Sequence, residues 1–572
     1  MAKYLMSLLF LLVLCSSIAK AQYRQAEGGG EVRGPVDQIT EEDRLNIQKQ
    51  LAFKIDSLDK EGVFPPLKSA EIKYGWPLRS ASNLFDYGVH GISNFVDHDH
   101  HFPSILSDYM CGTRTYDRNS GYNHSGTDMY TWPFSWFKMD HDQVEVVASA
   151  AGVIIDKRDG NFDRNCSFGG GNWNAVYVRH VDGSVVWYGH LKNGSLTSKN
   201  VGDDVVEGEF LGIIGSSGNS TGPHLHIEFY DPNGKLIDPY KGACNEITSS
   251  LWANQPAYYD SKVNAIKTHL TPPEFYFSEC SQTEEPNFQN AFFPGDNVKT
   301  AVYYRDQLQE QTTFYKITRP SESVYRSWSH NSNSEHYSSS YWYWSNALDM
   351  NEEIGVWEFE AEFLGEKYTH EFTVSDPTTI PFSVPLSFPG DDVLFNEMPK
   401  EFTWLPLADA DKYHIQISKV DDFANIIAED SLLDDSKFDF PNGLTGTYYW
   451  RVRAKNEHGT GAWSTTRVFS IGMITSNDDL IIDIPTTSRL DQNYPNPFNP
   501  TTQITFELGK TGYVVLKVFN LIGQEVSVLQ RGRLNAGLHS VTFDASTLPS
   551  GVYLYRLETP NYSETKRMIL IK

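Results

Sequence analysis

Gly215-Ser216-Ser217-Gly218-Asn219-Ser220-Thr221-Gly222-Pro223-His224-Leu225-His226-Ile227-Glu228-Phe229 decides how this chain is read. A glycine-rich turn delivers a strand. In an extended chain alternate side chains share a face, so His224, His226 and Glu228 project one way and Leu225, Ile227 and Phe229 the other. The apolar set belongs in a core, which directs two imidazoles at a cleft. Two histidines on the open face of one strand are costly as packing and natural around a metal.

Working outward, short β-rich runs split by glycines flank this strand. Val144 to Ile155, Ala175 to His180, Val185 to Tyr188 and Phe210 to Ile214 read as strands, and Asp182-Gly183 is a hairpin signal between two of them. The expected fold is mainly β, an antiparallel β-sheet domain followed by β-sandwich modules. Upstream, Asn123-His124-Ser125-Gly126-Thr127-Asp128 puts an imidazole and a carboxylate on one face of an extended chain, two-thirds of a catalytic metal site. Trp187-Tyr188-Gly189-His190-Leu191 adds a histidine at a strand end.

Together these elements resemble the lysostaphin-type zinc peptidases, which include the β-lytic enzymes and peptidoglycan-hydrolysing endopeptidases. H-x-x-x-D comes early, Y-x-H-L in the middle and T-G-P-H-L-H late, over residues 121 to 240. The resemblance implies that His124, Asp128 and His226 bind Zn2+ and that His190 and His224 are catalytic. It also implies hydrolysis of peptide bonds, with peptidoglycan cross-links as substrate class. No H-E-x-x-H is present, so the glutamate base of thermolysin-like enzymes is absent, and Glu228 suits a supporting or a surface role rather than catalysis. The alternatives are an extracellular protein-degrading protease, a catalytically inactive regulatory module, and an adhesin whose sandwiches do the binding.

Two features depart from the compact family pattern. Met129 to Lys138 forms a longer aromatic insertion, with Trp132 and Trp136 either walling the cleft or packing a loop. Asp97-His98-Asp99-His100-His101 is rich in ligands and could bind metal, occupy the zinc in a latent precursor, or form a solvated loop.

The rest of the chain sets the context. Lys3, the apolar run Leu5 to Leu14 and Ala19-Lys20-Ala21 look like a cleaved secretory signal, with no later stretch apolar enough to span a membrane. The remaining Cys111, Cys166, Cys244 and Cys280 suggest two disulfides, with three pairings open. A formal charge of −26 over 572 residues argues against nucleic acid as a partner. The expected division is a signal peptide over 1–21, an N-terminal extension or propeptide over 22–102, and a peptidase domain over 103–247. An Ig-like sandwich over 271–376, a fibronectin type III-like domain over 381–472 and a final unit over 489–572 follow. In the extension, Gly28-Gly29-Gly30 reads as disordered, and Leu45, Ile47, Leu51, Ile55 and Leu58 predict a helix from Glu41 to Leu58.

In the fibronectin-like unit, the alternation in Tyr448-Tyr449-Trp450-Arg451-Val452-Arg453 turns Arg451 and Arg453 outward. The last unit runs from Asn493-Tyr494-Pro495-Asn496-Pro497-Phe498-Asn499-Pro500, through Gly523-Gln524-Glu525-Val526, to Leu548-Pro549-Ser550-Gly551-Val552-Tyr553. It is similar to the C-terminal sorting domains of type IX secretion substrates. That resemblance implies the type IX machinery as partner and a bacterial protein outside the cell or on its surface.

Overall fold

The structure, a computed structural model, describes residues 22–68, 72–81, 84–275, 280, 283–395, 399, 401–440, 446–471 and, with short interruptions, 488–571. The expected signal peptide and most of the linker Thr475 to Ser488 lie outside the described residues. The protein is mainly β, and the chain divides into two compact units, 1–377 and 378–572.

The first unit is organised around an eight-stranded antiparallel sheet. Its order is Asp204–Val205, Gly152–Arg158, Ala175–His180, Val185–Gly189, His224–Tyr230, Thr127–Thr131 and His90–Asn94, with Leu236–Ile237 beside His224–Tyr230. A three-stranded sheet of Phe210–Ile213, Val144–Val147 and Leu78–Ser80 packs with it. The expected run Val144 to Ile155 is thus two strands in two sheets, parted by the turn around Ser149–Ala151. Between the sheets, Leu225, Ile227 and Phe229 join Val176, Val178, Val186 and Tyr188 in one apolar core.

The expected boundary at 102/103 runs through this fold. His90–Asn94 pairs with Thr127–Thr131, and Leu78–Ser80 pairs with Val144–Val147. Strand signals this short, set in aromatic and polar sequence, have no periodicity of their own and are fixed by their partners. The cysteines pair as Cys111–Cys244 and Cys166–Cys280.

The other face of the sheet is covered by the helix Glu41–Lys60, capped by Thr40, whose hydroxyl accepts from Asp43 N. Ile47, Leu51 and Leu58 pack on Tyr177, Trp187 and Tyr230. Leu45, expected inside, is 45 % exposed, whereas Arg44 takes the inward position. The reason lies across the interface, where Glu228 supplies a buried partner.

The next sandwich begins earlier than Thr271. Lys262–His269 pairs with Asn297–Leu308, which pairs with His336–Ala347. The facing sheet includes Val324–Asn331, Thr312–Thr318, Gly355–Phe363 and Glu366–Val374. Gly28–Glu31, expected to be disordered, is an edge strand paired to Ser340–Tyr343. Only glycine fits there, since a Cβ on Gly29 would lie 2.1 Å from Tyr341 O at φ +132°. Part of the aromatic insertion packs against this sandwich. Trp132 and Phe134 stack against Phe275 and meet Tyr303, while the Arg164 guanidinium lies over Trp136.

The second unit holds two further cores. In one, Tyr448, Trp450, Val452 and Ala454 point inward from Gly446–Asn456. Arg451 and Arg453 lie on the other side, their guanidiniums over the Trp463 ring. The last core packs Thr501–Leu508 and Gly537–Asp544 against a four-stranded sheet ending in Tyr562–Leu570.

Candidate metal centre

The register of three neighbouring strands builds the centre. His226 lies opposite Asp128 on one side and Gly189 on the other, so His190 follows directly at the end of its strand. A Cβ at Gly189 would collide with Trp173 at 1.9 Å, so the residue before His190 must be glycine for the ring wall to close. His190 itself adopts a left-handed backbone, φ 62°, which is uncommon outside glycine and turns its ring back over the sheet.

All five residues singled out from the sequence meet here, and His124, Asp128, His224 and His226 are 0 % exposed. His226 Nδ1 is 2.9 Å from Asp128 Oδ1, and His124 Nε2 is 3.0 Å from the same oxygen. His124 Nδ1 is fixed by the Phe95 carbonyl at 2.7 Å, leaving Nε2 to face the centre. His226 is oriented from behind by Glu228 Oε1, 2.9 Å from Nε2. Glu228 is in turn held by Arg44 at 3.0 Å and by the Tyr230 hydroxyl. Asn94 Nδ2 donates to Asp128 Oδ2 at 3.0 Å, so the other oxygen is the one turned inward. Such partners fix ligand orientation and basicity in histidine–carboxylate metal sites.

His190 and His224 stand on the other side of the centre with their rings 4.5 Å apart. Each donates from Nδ1 to a carbonyl, of Ser217 at 2.6 Å and of Gly222 at 2.8 Å, which points each Nε2 into the centre. His224 Nε2 is buried without a hydrogen-bond partner.

Asp37 completes the cluster and has no counterpart in the sequence pattern. Its Oδ2 lies 2.7 Å from His226 Nδ1 and 3.0 Å from His190 Nε2. The hydroxyls of Tyr116 and Tyr122 donate to its Oδ1 at 2.5 and 2.8 Å. Ligand atoms of Asp37, His124, Asp128 and His226 lie within 4.8 Å of one another, a group able to hold a metal ion.

The charges respond to each other. Burial raises the Asp128 carboxyl, but His124 beside it, with hydrogen bonds from both histidines, brings it below its ordinary value. Asp37 is likewise raised by burial and pulled well below the usual carboxylate range by His226 and the surrounding imidazoles. Burial lowers His226, and Asp37 and the other carboxylates drive it well above an ordinary histidine. Burial and then His224 lower His190 below an ordinary histidine. Glu228, raised by burial, is drawn down to about 2 by Arg44 and His226 and remains charged. Burial and Asp37 hold both tyrosines well above 10, so they stay donors.

The ligand-rich run Asp97 to His101 does not gather at the centre. His98 pairs with Asp238 at 2.8 Å and His101 with Asp99 at 2.7 Å.

Residues 135–239 match Peptidase family M23. The chain carries an M23 peptidase domain. The match starts after His124 and Asp128; strand pairing brings Asp128 to the M23 segment, and His124 lies 3.0 Å from Asp128. Residues 492–572 match the secretion system C-terminal sorting domain, which marks the chain for the cell surface or the extracellular space. No described helix is long and apolar enough to cross a membrane.

A DD-carboxypeptidase/endopeptidase Mpg of Neisseria meningitidis is 42 % identical over 94 residues, 16 % of this chain and 19 % of that protein. The peptidoglycan DD-endopeptidase ShyC of Vibrio cholerae is 34 % identical over 89 residues, 16 % of this chain and 20 % of that protein. The chain thus spans about a fifth of the curated relatives it matches. A solved zinc-containing peptidase of Vibrio cholerae aligns at TM-score 0.19 and 19 % identity over 29 % of this chain and 39 % of that one, a slight overall likeness.

Proposed function

We propose that the chain is a secreted zinc metalloendopeptidase that hydrolyses peptide bonds, with peptidoglycan cross-links as its substrate class. The observation that carries this reading is the convergence of His124 Nε2, Asp128 Oδ1 and His226 Nδ1 beside two further imidazoles aimed at the same point. Two imidazole nitrogens and one carboxylate oxygen suit zinc, and three protein ligands are the number found in catalytic rather than structural sites. The unpartnered Nε2 of buried His224 fits a site built for a further occupant. Zinc, when bound, supplies Lewis acidity and lowers the pKa of water to about 7.

In this reading His124, Asp128 and His226 are the metal ligands, and Glu228 and Asn94 hold His226 and Asp128 in place. His190 and His224 present Nε2 to the substrate, where one accepts a proton and the other hydrogen-bonds the carbonyl oxygen as charge develops on it. The 1–21 segment serves as secretory signal and the type IX machinery as export partner. The unit over 381–472 is a fibronectin type III-like spacer.

The test is metal content together with hydrolysis of purified peptidoglycan and of unfolded protein. It uses the chain secreted without its signal, both intact and after limited proteolysis. About one zinc per chain, metal lost in His124→Ala, and activity lost but metal kept in His224→Ala support the roles. A folded chain that binds no zinc and cleaves neither substrate in either form overturns them. Faster cleavage of unfolded protein would move the substrate class to extracellular protein.

A further inference from the structure

His190 stands where no strand holds it. Its strand Val185–Gly189 has ended, and its backbone is left-handed at φ 62°. A residue with a Cβ keeps that conformation only where its surroundings impose it. His224, by contrast, lies within a ladder, opposite Tyr130 and with its N–H on the Gly215 carbonyl. What imposes the turn at His190 is Asn174. Val176 pairs with Tyr188, and the same register continued two residues further sets Asn174 across from His190.

Asn174 is 0 % exposed. It takes both main-chain groups of Leu191, the residue after His190. Its carbonyl accepts from Leu191 N at 3.0 Å, and its Nδ2 donates to Leu191 O at 3.2 Å. Its own N–H donates to Ser217 Oγ at 2.8 Å, and the Ser217 carbonyl is the group that accepts from His190 Nδ1 at 2.6 Å. The turn and the anchor of the ring are thus fastened to one residue. The rest of the side chain is held by Asn161, in the loop between Gly152–Arg158 and Ala175–His180. Asn161 N and Nδ2 donate to Asn174 Oδ1 at 2.9 and 3.1 Å, and Asn174 Nδ2 donates back to Asn161 O at 2.9 Å. The preceding residue, Trp173, meets the His190 ring edge-on at 5.2 Å between centroids.

We propose that Asn174 is a positioning residue for His190, oriented by Asn161, and that this pair of amides aims His190 Nε2 at the substrate. The role of His190 at the substrate rests on the metallopeptidase reading; the hold on its ring does not. Only an amide fits the position, because Leu191 O and Asn161 O need donors and Asn161 N needs an acceptor from the same side chain. Aspartate lacks the donors and leucine lacks both. Proton transfer and oxyanion contacts work over hydrogen-bond distances, so a ring displaced by about 1 Å costs about 10²-fold in rate.

The test compares the zinc-loaded full chain as wild type, Asn174→Ala and Asn161→Ala. It reads steady-state hydrolysis of peptidoglycan and of unfolded protein, zinc content and crystal structures. In Asn174→Ala kcat should fall by about 10²-fold, with KM within about twofold and zinc still about one per chain. His190 should leave the left-handed region and its Nε2 move by about 1 Å or more, while His224 and His226 stay in place. Asn161→Ala keeps the main-chain bond to Asn174 and loses the side-chain one, so kcat should fall by about tenfold. That variant decides the matter if Asn174→Ala does not fold. An unmoved His190 or an unchanged kcat in the folded variant overturns the proposal. So does a loss of hydrolysis matched by an equal loss of zinc, since Asn174 is then framework for the whole centre. If no form, wild type included, hydrolyses either substrate, the metallopeptidase reading falls and the ring decides alone. A displaced ring then supports the hold by Asn174, and an unmoved one overturns it.

Discussion

Two of the buried charge clusters in the first unit are built to opposite ends. At the seam between the peptidase fold and the sandwich, Asp86 accepts from Lys138 at 2.5 Å and lies 2.7 Å from Lys267. Both oxygens have cations, and the set is complete within the protein. At the metal centre two carboxylates face four imidazoles, and the inward nitrogens crowd around the same oxygens. Burial of charge alone therefore marks neither function nor structure. The difference is that the seam cluster satisfies its own members, whereas the centre gathers more inward-facing ligand atoms than they can satisfy among themselves.

Removing a member should separate the two sharply. His226→Ala takes away one of the three proposed metal ligands, and metal content should fall below stoichiometric with peptide hydrolysis down by about 10³-fold or more. Mass spectrometry under native conditions reads the first and peptide hydrolysis the second. Retention of full metal would break the contrast. Asp86→Ala leaves Lys138 buried without its carboxylate and should destabilise the first unit by about 3–5 kcal/mol in chemical denaturation, with metal content of the folded fraction unchanged.

Trp132→Ala removes a ring packed between Phe275 and Tyr303 and should cost about 3–5 kcal/mol by the same measurement. Its substrate preference should not change. A changed preference would place the aromatic insertion at the cleft. Glu228→Gln keeps the shape but weakens the hold on His226, and metal affinity should drop by about 10–100-fold in chelator competition.

The smallest effect is with pH. Burial raises Asp86, but Lys138 and Lys267 bring it down to about 2 in the fold, against about 3.9 in an unfolded chain. A depressed carboxyl stabilises fully above the unfolded value and loses that contribution as pH falls through the folded one. Stability of the first unit should therefore decline between about pH 4 and pH 2, and Asp86→Asn should flatten that decline.

Much of the centre could be read from the sequence because its parts are local. His224 and His226 sit two apart on a strand whose other face is Leu225, Ile227 and Phe229, and that alternation survives any environment. The strand Ala175–His180 keeps the bounds its residues suggested. Glu228 shares the face of the two histidines, but the sequence leaves open whether it supports the site or lies on the surface, and its place between His226 and Arg44 decides it. Asn94, Arg44 and Asp37 were not legible, since each is a single polar residue without spacing to a partner, and each meets the site from 34 to 184 residues away.

The sequence by itself determined the alternation of the histidine strand, the ligand types and the mainly β class, because these depend on neighbours two or four residues apart. Only the tertiary structure decided what covers the polar face of that strand. The helix Glu41–Lys60 looks from its sequence like any amphipathic helix, and Asp37 like any acidic residue in a loop. Which surface such a helix covers is set by the shape and charge it meets, here the Trp187 face and Glu228. That meeting brings Asp37 to the metal centre.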